Sequence, residues 1–187
     1  SWVLCDEVYR GTDQHGTGIT ASITDIYEKG ISTAGMSKAY SLAGLRLGWV
    51  TAPNKVIEDL MIHRDYDTIS VGMLDDYLAT VALESVDRLL ERSHTITRGN
   101  LSYLSSWLDG ETKFSWVKPS SGTTALIKIE LPIKSYDFCV DLLQKTGVMF
   151  TPGAAMGMEG FIRVGYANNP DVLRAGLSRV SEYLKNI

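Results

Sequence analysis

The residues best suited to chemistry lie in one run, Gly35-Met36-Ser37-Lys38-Ala39-Tyr40-Ser41-Leu42-Ala43-Gly44-Leu45-Arg46-Leu47-Gly48-Trp49. Lys38 sits in a Gly/Ser/Met turn, and a lysine amine can act as a nucleophile toward a carbonyl carbon and as a base toward a C–H acid. Arg46 carries a planar fork that donates two hydrogen bonds to one anionic group, where a lysine would act as a point charge. Ser37 adds a hydroxyl donor. Both cations could be ordinary surface charges, but Ala39, Leu42, Ala43, Leu45 and Leu47 are not the neighbours of a solvated face.

Two further places carry charge in an apolar setting. Val3-Leu4-Cys5 is apolar and β-prone and then gives way abruptly to Asp6-Glu7-Val8-Tyr9, the pattern of a buried parallel strand reaching its C-terminal edge. Ligands of open α/β sheets bind at that edge, and an aspartate there can hold a protonated ring nitrogen cationic. The bland reading makes Asp6 and Glu7 loop-edge carboxylates that cap a helix or meet an arginine. Arg163 stands alone in Gly160-Phe161-Ile162-Arg163-Val164-Gly165-Tyr166, an alternating strand of small and apolar residues. A cation in such a strand needs a partner. An external carboxylate is one, and an interstrand salt bridge to Glu130 or Glu159 is the other.

Lys38 with Arg46, preceded by Asp6-Glu7-Val8-Tyr9 and followed by Phe161-Ile162-Arg163-Val164-Gly165, resembles the motif set of the class I/II aminotransferases, pyridoxal-phosphate enzymes of fold type I. Three motifs of distinct chemistry in the right order make the resemblance specific. It implies that Lys38 forms the Schiff base with pyridoxal 5'-phosphate and then moves a proton between substrate and cofactor carbons. It further implies that Asp6 faces the ring nitrogen, that Tyr9 donates to the ring oxygen, that Arg46 and Ser37 hold the phosphate, and that Arg163 binds the substrate α-carboxylate as a bidentate pair. One position departs from the pattern, since many members carry a serine where this sequence has Gly35.

The implied activity is transfer of an α-amino group between an amino acid and a 2-oxo acid. A lyase, decarboxylase or synthase of the same fold would share these residues, because the pocket selects which bond breaks. A non-catalytic interaction domain that kept the fold is a third reading, and joint retention of Asp6, Tyr9, Lys38, Arg46 and Arg163 argues against it. The partners implied are small molecules, with a second copy of the chain in a homodimer.

Composition agrees with an α/β protein: 44% hydrophobic, 21% charged, formal net charge -4. The 18 basic residues are scattered and outnumbered by 22 acidic ones, so nothing suggests nucleic acid, and no stretch is long and apolar enough to span a membrane. Cys5, in the first strand, and Cys139, in a helical run, read as reduced, buried thiols of a cytoplasmic protein. His15, His63 and His94 lack metal-ligand spacing.

Several elements must position these groups. Patterning predicts strands at 31–34, 47–52, 113–117, 124–130, 148–151 and 161–166. It predicts helices from Pro53-Asn54 to Ile62, from 73 to 84, from 86 to 108, from 136 to 146, and from Pro170 to Lys185 behind an Asn169 cap. Residues 64–72 read as a loop, a candidate for reaching a partner subunit, and 10–18 as a polar, glycine-broken loop without phosphate spacing. The expected organisation is the C-terminal part of a large cofactor-binding domain (1–85), a long interdomain helix (86–109) and a small α/β domain (110–187). Ser1-Trp2-Val3-Leu4-Cys5-Asp6 reads as a start inside or beside a core strand, so the sequence is expected to be the back half of such an enzyme and inactive alone.

Overall fold

The computed structural model describes residues 1–16 and 18–187; Thr17, in the polar loop 10–18, lies outside the described residues. The chain divides into two compact units, Ser1–His94 and Thr95–Ile187.

The first unit is built on a three-stranded sheet, β1 (Val3–Asp6), β2 (Gly30–Gly35) and β3 (Gly48–Thr51), in that spatial order. β1 and β2 are parallel, with Asp6 opposite Thr33, and β2 and β3 are antiparallel. The parallel crossover contains one short helix, α1 (Ile23–Ile26), opened by a capping box in which Ser22 and Asp25 satisfy each other's backbone amides. α2 (Asn54–Asp67) and α3 (Met73–Glu84) follow, then α4 (Val86–Asp109), whose residues from Thr95 onward belong to the second unit.

Two expectations fail here. Cys5 is half-buried where a buried thiol was expected, because within residues 1–187 β1 is the outer strand of its sheet and Leu4 is 68% exposed. Residues 64–72 are not one loop, since α2 continues through Asp67 and ends where the Thr68 and Ile69 amides both donate to the Arg64 carbonyl. No residue of α2 is buried. Without a buried stripe, apolar periodicity had nothing to report there.

The second unit folds around its own core. β4 (Phe114–Trp116), β5 (Thr124–Ile129), β6 (Thr151–Pro152) and β7 (Phe161–Gly165) form an antiparallel sheet in the order β4-β5-β7-β6. Ala125, Ile127, Ile129, Ile162 and Val164 alternate inward. They meet Leu104 of α4, Phe138 and Leu142 of α5 (Ser135–Thr146), and Leu177 and Val180 of α6 (Pro170–Leu184). α6 starts as expected, with the Asn169 side chain accepting from the Asp171 amide and Pro170 in the first turn. Cys139 is buried, which pushes its thiol up to about 11. The strand expected at 148–151 shrinks to Thr151–Pro152, since the Val148 amide donates to Thr146 Oγ1 and is lost to the ladder.

Candidate active site

The segment bearing Lys38 leaves the C-terminal end of β2 and returns as β3, and its two ends are tied by the Met36 amide donating to the Leu47 carbonyl at 3.0 Å. Ser37 and Arg46 flank that bonded pair, so the hydroxyl and the guanidinium leave the backbone at the same neck. Met36 is fully buried and Ala39 nearly so, which pins the loop from below while Lys38 stays exposed. Inside, the Ser41 amide donates to the Lys38 carbonyl at 3.1 Å and the Leu42 amide to the Met36 carbonyl at 2.9 Å. Ser41 (φ 58) and Arg46 (φ 50) adopt left-handed backbone, which non-glycine residues visit only where surroundings impose it. Three non-glycine residues do so among the described residues, and two lie in this loop.

Gly35 precedes the loop for a steric reason. A Cβ there would meet the Leu47 carbonyl oxygen at 3.1 Å, tighter than most side chains tolerate. The neck that joins Met36 to Leu47 therefore favours glycine at this position.

Asp6 ends β1 on the same sheet edge. Its Oδ1 accepts from the Val8 amide at 3.1 Å and lies 3.4 Å from Thr33 Oγ1, which orients the carboxylate while leaving Asp6 exposed. The chain then turns, with the Arg10 amide donating to the Glu7 carbonyl at 2.8 Å. That turn swings Tyr9 back until Lys38 Nζ lies 5.6 Å from its ring centroid. Parallel pairing of β1 with β2 thus gathers Asp6, Tyr9 and Lys38 along one edge, with Ser37 and Arg46 at the adjoining neck. Arg46 Nη1 donates to the Ala43 carbonyl at 2.8 Å, and among the described residues no ion pair occupies its guanidinium.

Glu7, which from sequence could be read only as a loop-edge carboxylate, points the other way. Its side chain is 8% exposed, and Oε1 accepts from Ser22 Oγ at 3.0 Å and from the Ile23 amide at 2.8 Å. Burial alone would raise its pKa. Hydrogen bonds from the Ile23 amide and from Ser22 and Ser32, with the nearby Arg10 charge, outweigh burial and hold the carboxyl below the ordinary range. Glu7 thus realises both forms of the bland reading, capping the start of α1 and lying 3.9 Å from the Arg10 guanidinium, and period-two alternation past the strand end is the signal that could have separated it from Asp6.

Arg163 belongs to the second unit. Its β7 neighbours Ile162 and Val164 are buried, so Arg163 is exposed on the opposite face, between Leu126 of β5 and Thr151 of β6. Its guanidinium donates to Thr151 Oγ1 at 3.3 Å and approaches the Met156 sulfur at 3.9 Å. The interstrand salt bridge is not formed. Glu130 accepts from Ser115 and Lys128, and Glu159 from the Ser135 and Gly160 amides. Among the described residues Arg163 has no carboxylate partner. Gly153, after β6, admits no side chain, because a Cβ would lie 2.0 Å from the Met158 carbonyl oxygen.

Comparison with known proteins places this geometry in context. Residues 1–180 match the family model described as aminotransferase class I and II. A crystal structure of a PLP-dependent aminotransferase from Streptococcus suis superposes with a TM-score of 0.94 at 36% identity, over 100% of this chain and 49% of that one. Capreomycidine synthase of Streptomyces vinaceus is 33% identical over 155 residues, 82% of this chain and 40% of its own length. The (5-formylfuran-3-yl)methyl phosphate transaminase of Methanocaldococcus jannaschii is 26% identical over 98% of this chain and 50% of its own. The chain thus spans about half the length of the proteins it matches.

Proposed function

Because the chain belongs to the class I and II aminotransferases, with their mixed α/β architecture and pyridoxal 5'-phosphate as the family's cofactor, we propose that it supplies the lysine-bearing half of an enzyme that moves an α-amino group between an amino acid and a 2-oxo acid. The observation that carries the reading is the approach of Lys38 Nζ to the Tyr9 ring at the sheet edge where Asp6 ends β1.

The donor set fits the cofactor. Asp6 offers an exposed carboxylate for a cationic ring nitrogen, Tyr9 a phenol for the ring oxygen, and Ser37 and Arg46 a hydroxyl and a planar cation for the phosphate. When bound, the cofactor draws off the electron pair left at the substrate α-carbon. Lys38 Nζ takes the proton from that carbon. Arg163 holds the α-carboxylate through two parallel hydrogen bonds and so orients the α C–H bond. Its lack of an internal carboxylate partner supports this role. The active protein is proposed to be a cytoplasmic homodimer, a reading supported for the compartment by two free thiols and for the assembly by membership of the family.

The test is borohydride reduction of the full-length protein with bound cofactor, followed by peptide mapping. The label is expected on Lys38, and Lys38→Ala should abolish amino-group transfer while leaving noncovalent cofactor binding. A label on another lysine would refute the assignment. A second reading, supported by the similarity to capreomycidine synthase, is that Asp6, Tyr9, Lys38, Arg46 and Arg163 of this chain serve a synthase. Incubation with an amino-acid panel separates the two, since a transferase needs a 2-oxo acid acceptor to turn over and a synthase does not.

A further inference from the structure

We infer that Glu7 is a positioning residue for the cofactor-binding edge: tethered to the start of α1, it fixes Asp6 on one side of it in sequence and Tyr9 on the other. The inference rests on the proposed cofactor site.

Three observations carry it. The Glu7 amide continues the β1–β2 ladder by donating to the Thr33 carbonyl at 2.8 Å, and the Glu7 carbonyl accepts from the Arg10 amide to close the turn that returns Tyr9 toward Lys38. Both backbone groups of Glu7 are therefore committed, one to the strand that sets Asp6 and the other to the turn that sets Tyr9. The side chain, 8% exposed, is anchored to Ser22 Oγ and the Ile23 amide, more than a dozen residues away. Finally, within residues 1–187 little apolar packing holds this edge: Val3 and Leu4 on β1 are exposed. Where packing does not locate a strand end, a buried charged acceptor with two donors can, since charge-assisted hydrogen bonds are about twice as strong as neutral ones. Removing it would strand the Ser22 and Ile23 donors and free the junction.

The experiment titrates pyridoxal 5'-phosphate into full-length protein and reads its visible circular dichroism, which reports the orientation of the bound ring. Glu7→Ala is expected to weaken cofactor binding about tenfold and to alter the dichroism. Glu7→Gln, whose amide oxygen can still accept both hydrogen bonds but without the charge, should keep the native band and lose affinity by about threefold, less than Glu7→Ala. Ser22→Ala should move both readouts in the direction of Glu7→Ala, by about threefold in affinity. The KM for the amino acid should change little, because Arg163 lies in the other unit. A native band and unaltered affinity in Glu7→Ala would overturn the assignment while leaving the proposed function standing. Wild-type protein that binds no cofactor would overturn both. Should Glu7→Ala yield too little folded protein to titrate, Ser22→Ala decides, and native behaviour there counts against the tether.

Discussion

The two units of this chain solve the problem of holding a functional side chain in opposite ways. The second places Arg163 on a sheet whose other face is packed to completion: Ile127, Phe138, Leu142, Ile162, Tyr166 and Val180 are fully buried, and Phe114, Phe138 and Tyr183 meet edge to face. Within residues 1–187, about half the length of the related proteins, the first places Lys38 and Asp6 on a frame whose buried apolar residues are Met36, Ala39, Ala79 and Leu90, while Leu4, Ile62, Tyr66, Met73 and Leu74 lie open. Its geometry is set by short-range polar tethers: the Met36–Leu47 neck, the Asp6–Val8 turn and the Glu7–Ser22 anchor. A close-packed core resists displacement in every direction, whereas a hydrogen bond constrains a few atoms along one line. The chemistry proposed here needs both: a fixed arginine for a rigid carboxylate, and a loop held in strained backbone so that a lysine can serve a ring.

The contrast is open to test on residues 1–187. Phe138→Ala removes a fully buried ring from the second unit and should cost about 3 to 5 kcal/mol in denaturant unfolding; a cost near zero would mean that this unit is not organised by its core. Arg163→Lys, measured on the full-length protein, should raise the KM for the amino acid about ten- to a hundredfold with cofactor affinity nearly unchanged, because the bidentate pair is lost and the cofactor's own contacts are not. Equal loss of both affinities would mean that the arginine is a structural element of its sheet. The smallest effect is expected at Tyr66→Ser on α2, where the ring is 89% exposed: about 0.5 kcal/mol or less in the same unfolding experiment. A cost like that of Phe138→Ala would show that the first unit has a core of its own.

Much of the molecule was legible from local pattern. α4 and α6 were readable because 3.6-residue periodicity and the Asn169-Pro170 start are local properties, and the order of Asp6, Lys38 and Arg163 identified the family because such motifs are matched by residue type and spacing. Other features waited for the fold. The continuation of α2 to Asp67 left no stripe to read, since no side chain of that helix is buried. The shortening of β6 depended on Thr146 capturing the Val148 amide. The half-burial of Cys5 waited for strand order, a long-range property, because an apolar strand reads alike whether it is central or at an edge.

The sequence by itself determined which groups are available: a lysine in a glycine-flanked turn, an aspartate at a strand end, a guanidinium near it and another in an apolar strand. These follow from residue identity and near-neighbour spacing. Only the tertiary structure decided what each is free to do. Pairing of β1 with β2 set Tyr9 beside Lys38, the start of α1 claimed Glu7 and left Asp6 exposed, and Ser115, Lys128 and Ser135 occupied the carboxylates that would otherwise have paired with Arg163. A side chain's partner depends on what folding brings to it from distant sequence, and the residue's own neighbours in the chain do not encode that choice.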